Sequence, residues 1–347
     1  MGSPMTGGAA RFGWHADSYD TSLASIRYRL LMPLAALRGE GVPIEQFDSA
    51  RDPASYDAVI FSKSHSAGAV AAAQALRAAG RAVVLDLCDN LIAAHAARHV
   101  SDARLARFRA MLDAATHLTF STAMLAEQIG AAVPSATINR RVIPDALDMP
   151  DSLPPPTTPG GLRQMAALDR FLAKHPAALH AIWFGKSLGS VSGYAHLHAV
   201  ADRLAAQPFP ITLTVVSNAP VRWWLGRWRW RLPVHYVGWR QETATAVLQR
   251  HRVAVLPVAS NDYTVGKTIN RPATALLAGL GVVADAIPSY EELRPFVALD
   301  DWDGGLARYH HHWPAEQPRL AAAREHLAVR YSAQAVAREW QAMLDTI

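Results

Sequence analysis

The chain has 347 residues, half of them hydrophobic, with 34 Lys plus Arg against 29 Asp plus Glu and a formal net charge of +5; that length exceeds what one core usually serves, so two domains are expected. The modest positive balance suits an acidic ligand or a membrane surface and does not require nucleic acid, while the lone Cys88 excludes a disulfide framework and a Cys-based zinc site. With no apolar run of about 18 residues and no secretion signal in residues 1–10, the protein is expected to be cytoplasmic, or peripheral to the inner membrane.

Residues 10–14 read as a short first strand. Residues 22–37 carry apolar side chains at helical spacing, with Leu30, Leu31, Leu34 and Leu37 on one side and Arg27 and Arg29 near the start. A strand over 58–61 and a small-residue helix over 68–79, ended by Gly80, come next. Residues 82–87 form a fully buried strand that runs into Asp86-Leu87-Cys88-Asp89-Asn90. Carboxylates at that place stand at a strand's C-terminal end, where open α/β sheets put their ligands. Helix 104–115, strand 117–121, helix 123–129 and strand 141–144 follow. Such alternation implies a parallel sheet covered on both faces.

Residues 150–161 hold four prolines between Leu153 and Pro159 and no apolar periodicity, and read as an interdomain linker. The alternation then restarts: strand 181–184, helix 194–206, strand 211–216, strand 234–237 and helix 242–249. The strands 253–257 and 282–284 flank a helix through Ala278, with Pro272 suited to its first turn and Gly279 to its end. Residues 319–344 form one or two helices interrupted near Tyr331-Ser332.

Between the last two strands lies Gly266-Lys267-Thr268-Ile269-Asn270-Arg271. Lys267, Asn270 and Arg271 gather at the mouth of a helix whose free N–H groups already favour an anion, which makes a phosphate site. The plainer alternative is a solvated helix start with two surface cations. Phe184 to Gly193 holds Gly185, Lys186 and Ser187, but a Walker A loop needs glycine where His180 stands, and the spacing of Gly185, Gly189 and Gly193 does not fit a dinucleotide fingerprint. What remains is a small βα loop with one cation, able to let a phosphate or sugar approach, or a plain turn.

Arg222 to Arg231 packs four Trp and four Arg into ten residues. Indole and guanidinium together favour a lipid headgroup layer; they also suit single-stranded nucleic acid, though no RNA-binding signature accompanies them. The third reading is Trp packed on the core with Arg outside. His310-His311-His312 is expected in an exposed loop, since consecutive residues cannot converge on one ion in regular structure. His65, His95 and His99 follow strand ends, where each is a general-base candidate or a structural histidine.

The order of these motifs resembles that of the GT-B fold nucleotide-sugar glycosyltransferases, in the family 4-like (group 1) set. The resemblance rests on Ser25-Ile26-Arg27-Tyr28-Arg29, on Val142-Ile143-Pro144-Asp145-Ala146-Leu147-Asp148, on Trp183-Phe184-Gly185-Lys186 and on Ala275 to Ala284. It implies an α/β protein of two Rossmann-like doubly wound domains facing a cleft: an acceptor domain over 10–150, a linker over 151–161, a donor domain over 162–318, and a helical segment, 319–347, packing across both. The implied reaction moves a sugar from a nucleotide-diphosphate donor, as co-substrate without metal or other cofactor, to a glycan, lipid-linked or secondary-metabolite acceptor. Gly185, Lys186, Ser187, Lys267, Thr268, Asn270 and Arg271 would hold the donor, and Gly238 and Trp239 would lie near its base. Ser25, Arg27 and Lys63 would meet the acceptor, and Asp89 would serve as base or orienter of its hydroxyl. The chain departs from the family where two donor-binding glutamates are usual: Gly266 and Thr274 stand there. That loss favours a second reading, a GT-B-like protein that binds a nucleotide or glycan without turnover and docks on a membrane. Phosphoglycerol transfer from an activated nucleotide is a third. No nucleic-acid partner is expected.

Overall fold

The computed structural model describes residues 11–133, 138–149, 156–185, 193–226 and 230–347, with the backbone alone at 193, 195 and 222. They form two compact units, one running to Ala146 and taken up again over Ala333–Ile347, the other Leu147–Ser332.

In the first unit the strands β1 (Phe12–His15), β2 (Ile44–Gln46), β3 (Ala58–Ser62), β4 (Ala82–Leu87), β5 (His117–Phe120) and β6 (Asn139–Val142) pair in parallel, in the order β2-β1-β3-β4-β5-β6. β3 is buried along its whole length, as expected of a strand with helices on both faces. The connecting helices are α1 (Ala24–Ile26), α2 (Met32–Gly39), α3 (Ala67–Ala78), α4 (Leu91–Ala96), α5 (Asp102–Ala114) and α6 (Ala123–Ala132). Ser66, Asn90, Ser101 and Thr122 cap the last four by accepting a backbone N–H three residues on, satisfying donors that each helix start leaves open.

The sequence predicts one helix over 22–37, but a π-helical turn, Arg27–Leu31, interrupts it between α1 and α2. The wider turn carries Arg29 inward: its guanidinium meets both Asp86 carboxylate oxygens at 2.5–2.9 Å and lies 3.5 Å from Asp145. Strand β2 escapes sequence reading because Ile44-Glu45-Gln46 is too short to show alternation, and β6 forms two residues earlier than expected.

The second unit runs α7 (Pro159–Ala173), β7 (Leu179–Phe184), α8 (Gly193–Ala205), β8 (Ile211–Ser217), α9 (Pro220–Gly226), β9 (Val234–Gly238), α10 (Ala244–Leu248), β10 (Val253–Leu256), α11 (Asn270–Leu277), β11 (Gly281–Ala284), β12 (Ala298–Leu299), α12 (Trp302–His311) and α13 (Trp313–Tyr331). Its parallel sheet has the order β12-β11-β10-β7-β8-β9. Residues 159–161, read as linker, open α7: Thr158 caps it by accepting the Gly161 N–H at 3.0 Å, and Pro159 needs no hydrogen-bond acceptor there.

Ser332 ends α13, and the last helix, α14 (Ala333–Leu344), belongs to the first unit. There Trp340 meets Trp14 with ring centroids 4.8 Å apart, in a core shared with Leu30, Leu34, Leu37 and Ile60. The closing segment, read as one or two helices interrupted near Tyr331-Ser332, is thus two helices, α13 in the second unit and α14 in the first. The histidine tract lies at the end of a helix and not in a loop: His310 and His311 are helical and His310 stacks on Phe209 at 4.2 Å, because an imidazole face beside a core-edge Phe is better buried than solvated, while His311 and His312 are exposed as expected.

Candidate functional site

In the second sheet, chain order reverses between β7 and β10: strands 7 to 9 step one way and strands 10 to 12 the other. At such a switch point the two outgoing loops diverge and leave a crevice at the carboxyl ends of the strands. Gly185 leaves β7 there, and the loop over 257–269 leaves β10. A Cβ on Gly185 would lie 3.2 Å from the Trp183 ring and 3.8 Å from the Arg271 guanidinium. A side chain there would press on the Trp183 ring, while Arg271 lies at ordinary contact distance beside the end of β7. Lys186 and Ser187 lie outside the described residues.

The loop after β10 is fixed by its own hydrogen bonds. The Asn261 side chain accepts the Tyr263 and Thr264 N–H groups at 3.0 Å, Thr264 donates to the Ala259 carbonyl, and Ser289 Oγ donates to the Lys267 carbonyl at 2.6 Å. Lys267 Nζ sits 3.8 Å from the centroid of the Tyr263 ring. Helix α11 then starts at Asn270 with no side-chain cap at Ile269. Thr268, Asn270 and Arg271 are half-buried around this start. Behind them is the buried phenol of Tyr290, whose pKa burial raises and whose anion Arg271 and Lys267 both favour. The nearby Asp285 is committed to the Val258 N–H and Trp302 Nε1, each at 2.8 Å. The arrangement is two cations at an uncapped helix start, which can hold a doubly charged anion.

Gly238 and Trp239 stand apart from this cluster, at the end of the outer strand β9 with β8 between it and β7. The Gly238 carbonyl accepts from Gln164 Nε2 at 2.7 Å, and Trp239 donates its N–H to Ser217.

In the first unit the order reverses between β1 and β3. Around that point gather His15, Asp17, Lys63, Ser64, His65 and, beyond β4, Asp89. Lys63 takes a left-handed backbone, φ 54°, which is costly for a residue with a Cβ, and pairs with Asp89. Burial alone would lower its pKa, but the Asp89 and Cys88 groups outweigh that and raise it; burial pushes the Cys88 thiol up to about 12. His15 Nδ1 and Ser64 Oγ are 2.8 Å apart, and Asp17 accepts the His65 N–H at 2.5 Å. Burial, helped by Arg104, lowers His65 to about 4, and its Nδ1 has no hydrogen-bond partner among the described residues. Ser25 lies half-buried in α1, and Arg27 folds back to donate to the Thr21 carbonyl at 2.8 Å. His95 instead meets Asp102 at 2.7 Å, on the exposed side of α4.

Sequence reading missed His15, because the first strand runs one residue further than its apolar pattern, and missed Tyr263 and Tyr290, which carry no motif. Asp86, expected near a ligand, is buried in the Arg29 network, where Ser62 and Thr119 also donate to it at 2.6 and 2.7 Å.

A scan of protein-family models and a search of curated protein sequences match nothing in this chain. Solved structures do resemble it. Anabaena HepE, in complex with UDP and glucose, superposes with a TM-score of 0.66 at 14% identity, covering 98% of this chain and 100% of that one. A UDP-forming trehalose-phosphate synthase from Burkholderia xenovorans gives 0.56 at 13%, over 91% and 77%. The E. coli trehalose-6-phosphate protein bound with UDP-2-fluoro glucose gives 0.57 at 14%, over 92% and 78%. The likeness establishes the fold: two Rossmann-like doubly wound α/β units of the GT-B class.

Proposed function

We propose that this chain is a glycosyltransferase that moves a sugar from a nucleotide-diphosphate donor held by the second unit to an acceptor taken by the first. The observation that carries the reading is the convergence of Lys267 and Arg271 at the uncapped start of α11, beside Gly185 at the switch point. A diphosphate leaving group is the largest charge that glycosyl transfer develops, and fixed cations with helix N–H groups stabilise it without a metal. Structures of this fold that carry UDP, or a UDP sugar, support the same ligand class here.

On this reading Arg271, Lys267 and Lys186 meet the phosphates, Asn270 and Ser187 orient polar groups, and Thr268 lies beside the donor. Ser25, Arg27 and Lys63 meet the acceptor, which is a glycan, a lipid-linked sugar or a secondary metabolite. Asp89 orients the acceptor hydroxyl; its pairing with Lys63 gives that carboxylate a fixed position and weakens it as a base. The same pairing, with Gly266 and Thr274 in place of carboxylates, favours the second reading, a nucleotide-binding protein without turnover.

A thermal-shift panel of UDP, GDP, CDP, ADP, TDP and CMP on wild type and the Lys267→Ala/Arg271→Ala variant tests the proposal. A ligand at about 100 times its dissociation constant adds about 2.7 kcal/mol to stability. Stabilisation of wild type alone by one nucleotide diphosphate is expected. No shift with any of them removes the donor site, and a shift without donor consumption over a broad acceptor panel selects the second reading.

A further inference from the structure

Helix α9 divides the Trp- and Arg-rich stretch into two faces. Trp223 turns inward, stacking on Tyr236 at 5.8 Å and meeting Trp230 at 5.7 Å; Trp230 in turn lies 4.5 Å from the His198 ring. These rings pack against the core built on Trp183, Leu213 and Val215. On the other face Val221, Trp224 and Leu225 are 69%, 58% and 61% exposed. Spaced at i, i+3 and i+4, they form one strip along the helix. Eight large hydrophobic side chains are exposed among the described residues, and three of them fall within these five positions. Scatter of single exposed apolar groups needs no explanation, but such a concentration marks a contact surface.

The charge of the surrounding chain selects the occupant. From Arg203 to Gln241 the sequence has six Arg and no Asp or Glu; Arg203 pairs with Asp303 and Arg240 with Glu242, which leaves the four Arg between 222 and 231 as the excess charge. Arg231 is 79% exposed, and its contact with Asp202, itself 71% exposed, is 3.6 Å long and open to water, so it leaves that cation available. Residues 227–229 lie outside the described residues, and the face is defined without them. An anionic surface is complementary to this charge. Single-stranded nucleic acid would use flat rings and leave Val221 and Leu225 idle, whereas a headgroup layer takes the indole at its level and the two aliphatic groups just below.

We propose that this face of α9 docks on an anionic lipid bilayer, with Val221, Trp224 and Leu225 entering the boundary between headgroups and acyl chains. No helix among the described residues is long and apolar enough to cross a membrane, so the contact is with the surface. It stands independently of the donor site.

Co-sedimentation of the full chain with vesicles of phosphatidylcholine alone, and of phosphatidylcholine mixed with phosphatidylglycerol, tests the proposal. Binding to the mixed vesicles, weakened by added salt, is expected, with at least about a tenfold loss of partitioning for Val221→Ser/Trp224→Ser/Leu225→Ser. Val329→Ser, which removes an exposed apolar group from α13, leaves binding unchanged. Should the triple variant unfold, Trp224→Ser alone decides, with at least about a threefold loss expected. Three results overturn the proposal: no binding to the mixed vesicles, binding indifferent to these substitutions, or a face that instead holds single-stranded nucleic acid or a second copy of the chain while vesicles are ignored.

Discussion

Lys267 holds its ammonium group 3.8 Å from the centroid of the Tyr263 ring. A lysine otherwise loses considerable side-chain freedom when it binds an anion. Here the ring face restricts it beforehand, and the Asn261 turn fixes the Tyr263 backbone in its place. Tyr263 is therefore a positioning residue for the cation. If Lys267 meets the donor phosphates as proposed, Tyr263→Ala should weaken nucleotide-diphosphate binding by about three- to tenfold, while Tyr263→Phe, which keeps the ring, should bind as wild type. Titration calorimetry on the three proteins measures it; equal losses for Ala and Phe would assign the effect to the hydroxyl instead.

The pair of Lys63 and Asp89 sits where the first sheet changes direction. If Asp89 orients the acceptor, Asp89→Ala should lower kcat by more than about tenfold and leave the nucleotide-induced thermal shift intact. A drop of less than about threefold takes Asp89 out of the mechanism.

Arg29 is 1% exposed, and Asp86 is its principal counter-charge. Removing one partner of a buried pair leaves the other uncompensated, so Asp86→Ala should cost about 3–5 kcal/mol of stability in denaturant unfolding. The double variant Arg29→Leu/Asp86→Ala should recover part of that loss. A single variant as stable as wild type would mean that Asp145 alone suffices for the guanidinium.

Two buried histidines set an acid limit. Burial lowers both His65 and His251 from 6.5 to about 4; for His251 it outweighs the Val247 carbonyl, 2.8 Å from Nδ1, which favours the charged ring, while Thr214 Oγ1 lies 2.7 Å from Nε2. The unfolded chain binds these protons first, so their contribution is complete above pH 6.5 and is lost as pH falls towards 4. Each should remove on the order of 1–3 kcal/mol across that window. His65→Leu should flatten the slope measured by urea unfolding between these limits; an unchanged slope would show that His65 titrates normally when folded.

The alternation of apolar runs with small-residue helices made the fold class readable, because period and punctuation are local properties of the chain. The gathering of Lys267, Asn270 and Arg271 at one helix start was local too, being fixed by Pro272 and the 3.6-residue turn. The helix starts at Ser66, Ser101 and Thr122 rest on equally local bonds, each side chain accepting a backbone N–H three residues on, although sequence reading did not single these residues out.

Pairings over longer separations were a different matter. Arg29 reaches Asp86 across 57 positions, and nothing near either residue distinguishes a buried anchor from a ligand contact. Strand order placed Gly238 and Trp239 two strands beyond β7 and set the reversals at β1/β3 and β7/β10, which sequence alternation alone does not determine. The division of the Trp and Arg stretch into a core face and an exposed face likewise required Tyr236 and His198 to arrive from other elements. Composition, period and caps thus determined which elements form, since each rests on neighbours in sequence. The partners of Arg29, Lys63 and Trp223, and with them the roles those side chains can have, were decided by the tertiary structure, because burial and counter-charge come from segments that only folding brings together.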